Sequence, residues 1–258
     1  MTRVVAEGFT PPEPSDFWQP LVGDGAFAFT RPMALMIISA VFVIALGLIG
    51  TRALKVVPSK GQFLFESMYD FVRNTIARDM LGEKNFKPYL PLLVTMFLMI
   101  LVNNLFGVVP VLQYPTMSRF GFPVALTLIV FVLYLYLGFK RRGFVGYFKN
   151  LLPEGIPGWL KGPIFFIEFL TYFFTRPVTL SLRLFGNMFA GHILLLLMAL
   201  GAEYMLLNGG AALKVMSVAP FLMYFLMTFF EILVEFLQAF IFTLLAALYI
   251  SDSISEHH

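Results

Sequence analysis

Charge is absent from three long stretches of the chain, 32–51, 88–118 and 120–139. Each is long enough to cross a hydrocarbon core of about 30 Å as helix. Gly121 and Pro123, with Pro110, Gln113 and Pro115 before them, mark a turn between the second and third. Spans are therefore expected at 32–51, 88–113 and 121–139. Between the first two, Phe65, Met68, Val72 and Ile76 recur at helical spacing while Glu66, Asp70, Arg73 and Asp79 take other positions. That alternation predicts an amphipathic helix over 61–80 lying at the membrane surface. A helical loop packed on neighbouring spans is the other reading of the same pattern.

The C-terminal half carries longer apolar runs, 163–204 and 214–250, joined by the turn Leu206-Leu-Asn-Gly-Gly210. As unbroken helix the last would extend about 54 Å at about 1.5 Å per residue. Such a length is accommodated by tilting, kinking or protruding from the bilayer. Pro177 predicts a kink or restart in the fourth segment, and Pro220 falls near the start of the final one. The expectation is an all-α integral membrane protein of about five transmembrane helices plus an interfacial amphipathic helix, the last two membrane helices long and tilted. A single polytopic domain, 32–258, follows an external polar tail, 1–31. The start of that tail lacks the apolar core of a cleavable signal peptide, so it is read as retained.

Composition agrees with that class. At 59% hydrophobic and 13% charged residues, the chain has too little polar surface to cover itself in water. It holds no cysteine, which excludes disulfides, thiol nucleophiles and cysteine metal sites. The three histidines lack metal-ligand spacing, and no Gly-rich phosphate loop, nucleophile elbow or zinc motif occurs. No metal or cofactor is expected, and nucleotide hydrolysis by this chain alone is not supported. The basic residues are unevenly placed. Arg52, Lys55, Lys60, Arg73, Arg78, Lys84 and Lys87 precede the second span, and Lys140, Arg141, Arg142, Lys149 and Lys161 follow the third. Both groups fall on one side of the membrane if spans alternate, and the bias makes that side cytoplasmic. The N-terminus is then outside and the C-terminus cytoplasmic.

Arg183 breaks the apolar pattern most sharply. Its guanidinium stays protonated, with a pKa above about 12. Insertion costs for a central charge run from about 2.5–3.5 kcal/mol on translocon scales to about 10–17 on an isolated helix. Such a residue points to an ion pathway. At about 100° per residue, Thr179, Arg183, Asn187 and Ala190 share one stripe, while His192 points to nearly the opposite side. On the final helix Glu231, Glu235, Gln238 and Phe242 form a second stripe. The two carboxylates there must be protonated, paired or hydrated. Glutamate and histidine can both exchange protons and retain water, as a proton-conducting chamber requires. A static ion pair of Arg183 with Glu231 or Glu235 is the plainer alternative, and on spacing alone a hydrogen-bonded core histidine is an equal reading of His192. Glu168, Arg176 and Lys161, near membrane edges, read as snorkelling or interfacial groups, and His257 and His258 as exposed tail residues.

The run from Pro177 to Gly191 (Pro-Val-Thr-Leu-Ser-Leu-Arg-Leu-Phe-Gly-Asn-Met-Phe-Ala-Gly) closely resembles subunit a of F-type ATP synthases. So do Leu237-Gln-Ala-Phe-Ile-Phe-Thr-Leu-Leu245 and Asn103-Asn-Leu-Phe-Gly-Val-Val-Pro110, in the same order along the chain. The resemblance implies the stator side of a rotary proton motor beside a c-ring of carboxylate-bearing subunits. The subunit b peripheral stalk, other ATP synthase subunits and membrane lipids are its further partners, with no nucleic acid, in a bacterial plasma membrane. It gives Arg183 the part of electrostatic gate between two offset half-channels. It also carries over proton-translocation roles for Gln238, Asn187, Thr179 and Asn104. His192 and Glu231 match a channel pair that some members carry exchanged. Glu235 is an unexpected extra carboxylate, read as a relay group. At Gly107 some relatives have an acid, so access here is expected to rely on Glu231 and Glu235. An autonomous secondary transporter is the alternative; the chain shows no convincing repeat of the kind that class often has.

Overall fold

The computed structural model describes residues 20–23, 29–52, 55, 58–109, 114, 116–149, 151–152 and 157–254. Most of the expected tail, residues 110–113 of the second stretch, and His257 and His258 lie outside the described residues. A short antiparallel ribbon, β1 (Pro20–Val22) with β2 (Phe29–Thr30), precedes the first helix, an element the polar tail did not announce. Five helical segments are long and apolar enough to cross a membrane: Arg31–Arg52, Leu90–Val108, Gly121–Lys149, Gly158–Asn208 and Ala211–Ile254. This is an all-α membrane protein whose outer surface is paved with exposed Leu, Ile, Val and Phe. In water such a surface would drive association, whereas in lipid it is the solvated face.

The first segment, α1 (Arg31–Arg52), stays largely at the periphery, with Ser39 and Val43 turned inward. The surface segment begins at α2 (Lys60–Asp70), where the Ser59 hydroxyl accepts from the Gln62 amide and caps the helix. It widens into a π-helical stretch, Phe71–Arg78, and continues as α3 (Asp79–Asn85). Val72, Ile76 and Ala77 are buried in this stretch, which packs on α4 (Leu90–Val108) and α9 (Val218–Ile254). Phe71 sits among Phe97, Phe236 and Phe240, with ring centroids 5.8, 5.9 and 5.7 Å away. Phe63 and Leu64 remain exposed. The segment is therefore packed on the bundle through its second half and free to meet lipid through its first.

Gly121 and Pro123 stand at the boundary expected between the second and third spans, on its helical side. They open α5 (Gly121–Lys149), with Pro123 in the first turn, where a missing amide costs no hydrogen bond. Gly143 breaks that helix with φ 67°, a left-handed conformation that glycine adopts without a Cβ clash. The chain then folds back so that Tyr147 lies against Gly138, where a side chain would collide with its ring.

The fourth segment is not one continuous α-helix. After α6 (Lys161–Leu170), a π-helical turn over Thr171–Thr175 leads into α7 (Arg176–Asn208). Pro177 stands at the start of α7, so the helix restarts there. Tyr134 on α5 donates to the Tyr172 carbonyl in the π turn at 2.7 Å. After the short α8 (Ala211–Met216), α9 runs for 37 residues. Its far end is held by Arg141, which donates to the Ile254 carbonyl at 2.9 Å, and Arg142, which donates to the Asp252 carbonyl at 3.3 Å. Cations there satisfy free carbonyls and oppose the negative end of the helix dipole.

The densest core lies between α4, α7 and α9. One buried polar network fixes α4 against α1: Asn103 donates to the Ser39 hydroxyl at 2.8 Å, and the Thr116 hydroxyl donates to Asn103 Oδ1 at 3.0 Å. All three residues are fully buried. Replacing Asn103 with Ala is expected to destabilise the fold by about 1–3 kcal/mol, because buried hydroxyl groups lose their amide partner. Thermal unfolding of the purified variant in detergent checks this, and an unshifted midpoint would assign the network no net stabilisation.

Candidate functional site

Three helices supply the polar residues of the core. Glu231, Glu235 and Gln238 lie along one face of α9, turned inward and buried. From α4, the buried Asn104 donates to the backbone carbonyl of Glu235 at 3.2 Å. From α7, His192 points into the same region and is only 4% exposed. Its Nδ1 lies 3.0 Å from the Met188 carbonyl and 3.5 Å from Glu231 Oε1. The histidine is thus neither a simple core residue nor isolated; it bridges its own helix backbone and the α9 carboxylate.

Glycines make this placement possible. A Cβ at Gly107 on α4 would run into the imidazole of His192, and one at Gly191 would run into the carboxylate of Glu231. The absence of an acid at position 107 is therefore tied to the histidine, whose ring occupies the adjoining space. Composition alone gave no sign of this coupling, because it joins residues on different helices.

Two spaces flank the cluster. The larger, with about 100 Å³ of room for water, is bounded by Gly107, His192, Leu195, Ala199, Tyr224 and Thr228. The smaller, about 10 Å³, is lined by Asn104, Asn187, Met188, Glu231, Glu235 and Gln238, and is roughly the size that one water needs. Around them, Asn104 Oδ1, His192 Nε2, Gln238 Nε2 and both carboxyl oxygens of Glu235 are buried without a hydrogen-bond partner among the described residues. Buried polar atoms are nearly always paired, so these atoms call for water in the adjoining spaces. The order along the bundle is Tyr224 and Thr228, then His192, then Glu231 and Glu235, then Gln238 and Asn187.

Asn187 is the link from the buried cluster to the surface. It donates to Gln238 Oε1 at 2.9 Å and lies on the exposed stripe of α7 with Thr179, Arg183 and Ala190. Arg183 is exposed there and makes no hydrogen bond or ion pair among the described residues. The static pair with Glu231 or Glu235 is thereby excluded in this arrangement. Thr179 is placed on the stripe but not in the cluster; its hydroxyl donates to the Thr175 and Arg176 carbonyls of its own helix, at 2.6 and 3.2 Å.

Arg176 differs from the snorkelling expectation. Its side chain is 17% exposed and turns onto α9, where NH1 lies 3.0 Å from Asp252 Oδ2. Its guanidinium stacks over Tyr172 at 3.7 Å and Tyr249 at 4.8 Å. Asp252 lies in the last turn of α9, which continues to Ile254. Among the described residues no group of three potential metal ligands comes together.

Comparison with known proteins matches residues 33–251 to the family model described as ATP synthase A chain. Similar proteins named ATP synthase subunit a include that of Nocardioides sp., 40% identical over 98% of this chain and 95% of its own length. That of Streptomyces lividans is 38% identical over 97% and 90%, and that of Pseudarthrobacter chlorophenolicus 38% over 95% and 93%.

The glycine couplings lead to a direct check. Gly191→Ala should displace the Glu231 carboxylate and open its contact with His192 beyond about 4 Å, the ion-pair limit. A determined structure of that variant retaining the parental separation would refute the packing argument.

Proposed function

The chain belongs to the ATP synthase A chain family, and from that premise we propose that it is the proton-conducting stator subunit of a rotary ATP synthase. Its exposed α7 stripe faces a c-ring whose carboxylates pass Arg183 one at a time. The observation that carries this reading is the contrast between a cation on the surface of an apolar bundle, unpaired among the described residues, and proton-exchanging groups buried within that bundle. A fixed guanidinium favours the ionised form of an approaching acid and repels a proton or hydronium. It therefore releases the ring carboxylate's proton on one side and bars a direct crossing between the two half-channels.

The outer half-channel runs from the space beside Tyr224 and Thr228 past His192 to Glu231 and Glu235, and reaches the ring at Gln238 and Asn187. Water and the two carboxylates pass the proton along, with Asn104 holding the α9 backbone beside Glu235. The inner half-channel follows α7 below Arg183 on the cytoplasmic side set by the basic loops. Subunit b and the other subunits hold the chain still against the ring's torque. Each proton moving through a potential of 100 mV supplies about 2.3 kcal/mol, which a leak past Arg183 would dissipate without rotation. An autonomous transporter would turn its charged residue toward an internal substrate cavity; Arg183 faces out of the chain.

Arg183→Ala should abolish ATP-driven proton pumping in vesicles containing the assembled complex, while passive leakage is retained or rises. Normal coupled pumping would reject the gate. Glu231→Gln and Glu235→Gln should each slow pumping several-fold, and their combination should bring it to background. Full activity in the double variant would remove both from the proton route.

A further inference from the structure

We propose that Asp252 neutralises Arg176 and thereby leaves Arg183 as the one uncompensated cation, among the described residues, on the ring-facing stripe of α7. The inference rests on the reading of Arg183 as the gate. Arg176 precedes Arg183 by seven residues, which on an α-helix is about 20° in angle and about 10.5 Å along the axis. The two backbone positions thus share one face, from which the Arg176 side chain turns onto α9. A second bare cation there would compete with Arg183 for passing carboxylates and would repel protons from the inner half-channel.

The two arginines meet different surroundings. Arg176 reaches Asp252 Oδ2 at 3.0 Å and lies between the rings of Tyr172 and Tyr249. Arg183 is exposed and has no hydrogen-bond or ion-pair partner among the described residues. Tyr249 lies three residues before Asp252 on α9 and within electrostatic reach of both arginines. Delocalised guanidinium charge is well suited to such stacking, and the carboxylate supplies the counter-charge that the rings cannot. Arg141 and Arg142 hold the end of α9 that presents Asp252. They also make that end strongly basic, which raises the electrostatic consequence of losing its carboxylate.

A clamp between α7 and α9 would use the same contacts, and a charge-removal series separates the two roles. The assembled complex in vesicles is assayed for ATP-driven proton pumping with Asp252→Asn, with Arg176→Gln, with both together, and with Arg183→Ala as reference. Asp252→Asn should reduce pumping by about tenfold, a factor equivalent to about 1.4 kcal/mol. The double variant, which removes the stranded cation, should recover most of the parental rate, and Asp252→Glu should keep it. Parental pumping in Asp252→Asn, or a double variant as slow as Asp252→Asn, would overturn the inference. Coupled pumping retained by Arg183→Ala would instead overturn the gate reading on which it rests, so the two failures are distinguishable.

Discussion

A guanidinium cannot shed its proton to enter an apolar phase, so placing one on the face of a membrane helix constrains every neighbour. Bringing Glu231 or Glu235 alongside Arg183 would satisfy the charge but would also fix it in place. The bundle instead keeps those carboxylates behind α7 and puts amides, Asn187 and Gln238, between them and the arginine. Amides donate and accept without carrying net charge, so they connect the two regions without neutralising the cation.

The buried side obeys a second constraint, that of space. His192 and Glu231 approach each other only because Gly107 and Gly191 leave room for their ends. Polar side chains in a tight core are ordinarily fixed by complete hydrogen bonding. Here several atoms lack protein partners, and the adjoining spaces are large enough to hold water. Rigid backbone with incompletely satisfied side chains suits a route along which protons must change hosts.

Much of this was legible in the chain. The all-α membrane class follows from charge-free stretches, and the two functional stripes follow from helical spacing around Arg183 and Glu231. What remained hidden depended on tertiary contact. Arg176 looks like an edge residue until α9 is seen to carry Asp252 against it. Periodicity also presupposes an even α-helix, and this chain departs from it over Phe71–Arg78 and Thr171–Thr175. Gly121 and Pro123 marked the start of the third span, because residues typical of turns are also suited to the first turn of a helix. The β1–β2 ribbon is too short to give a periodic signal.

The π turn at Thr171–Thr175 has a bearing on how chains of this kind can change length. A π turn holds one residue more than the α turn it replaces, and its extra carbonyl here is taken by Tyr134. Losing one residue within it would restore ordinary winding, while the Arg176–Asp252 contact and the core packing of α7 hold everything beyond. Single-residue deletions between Glu168 and Arg176 can therefore be absorbed locally, leaving Arg183 in register with α9.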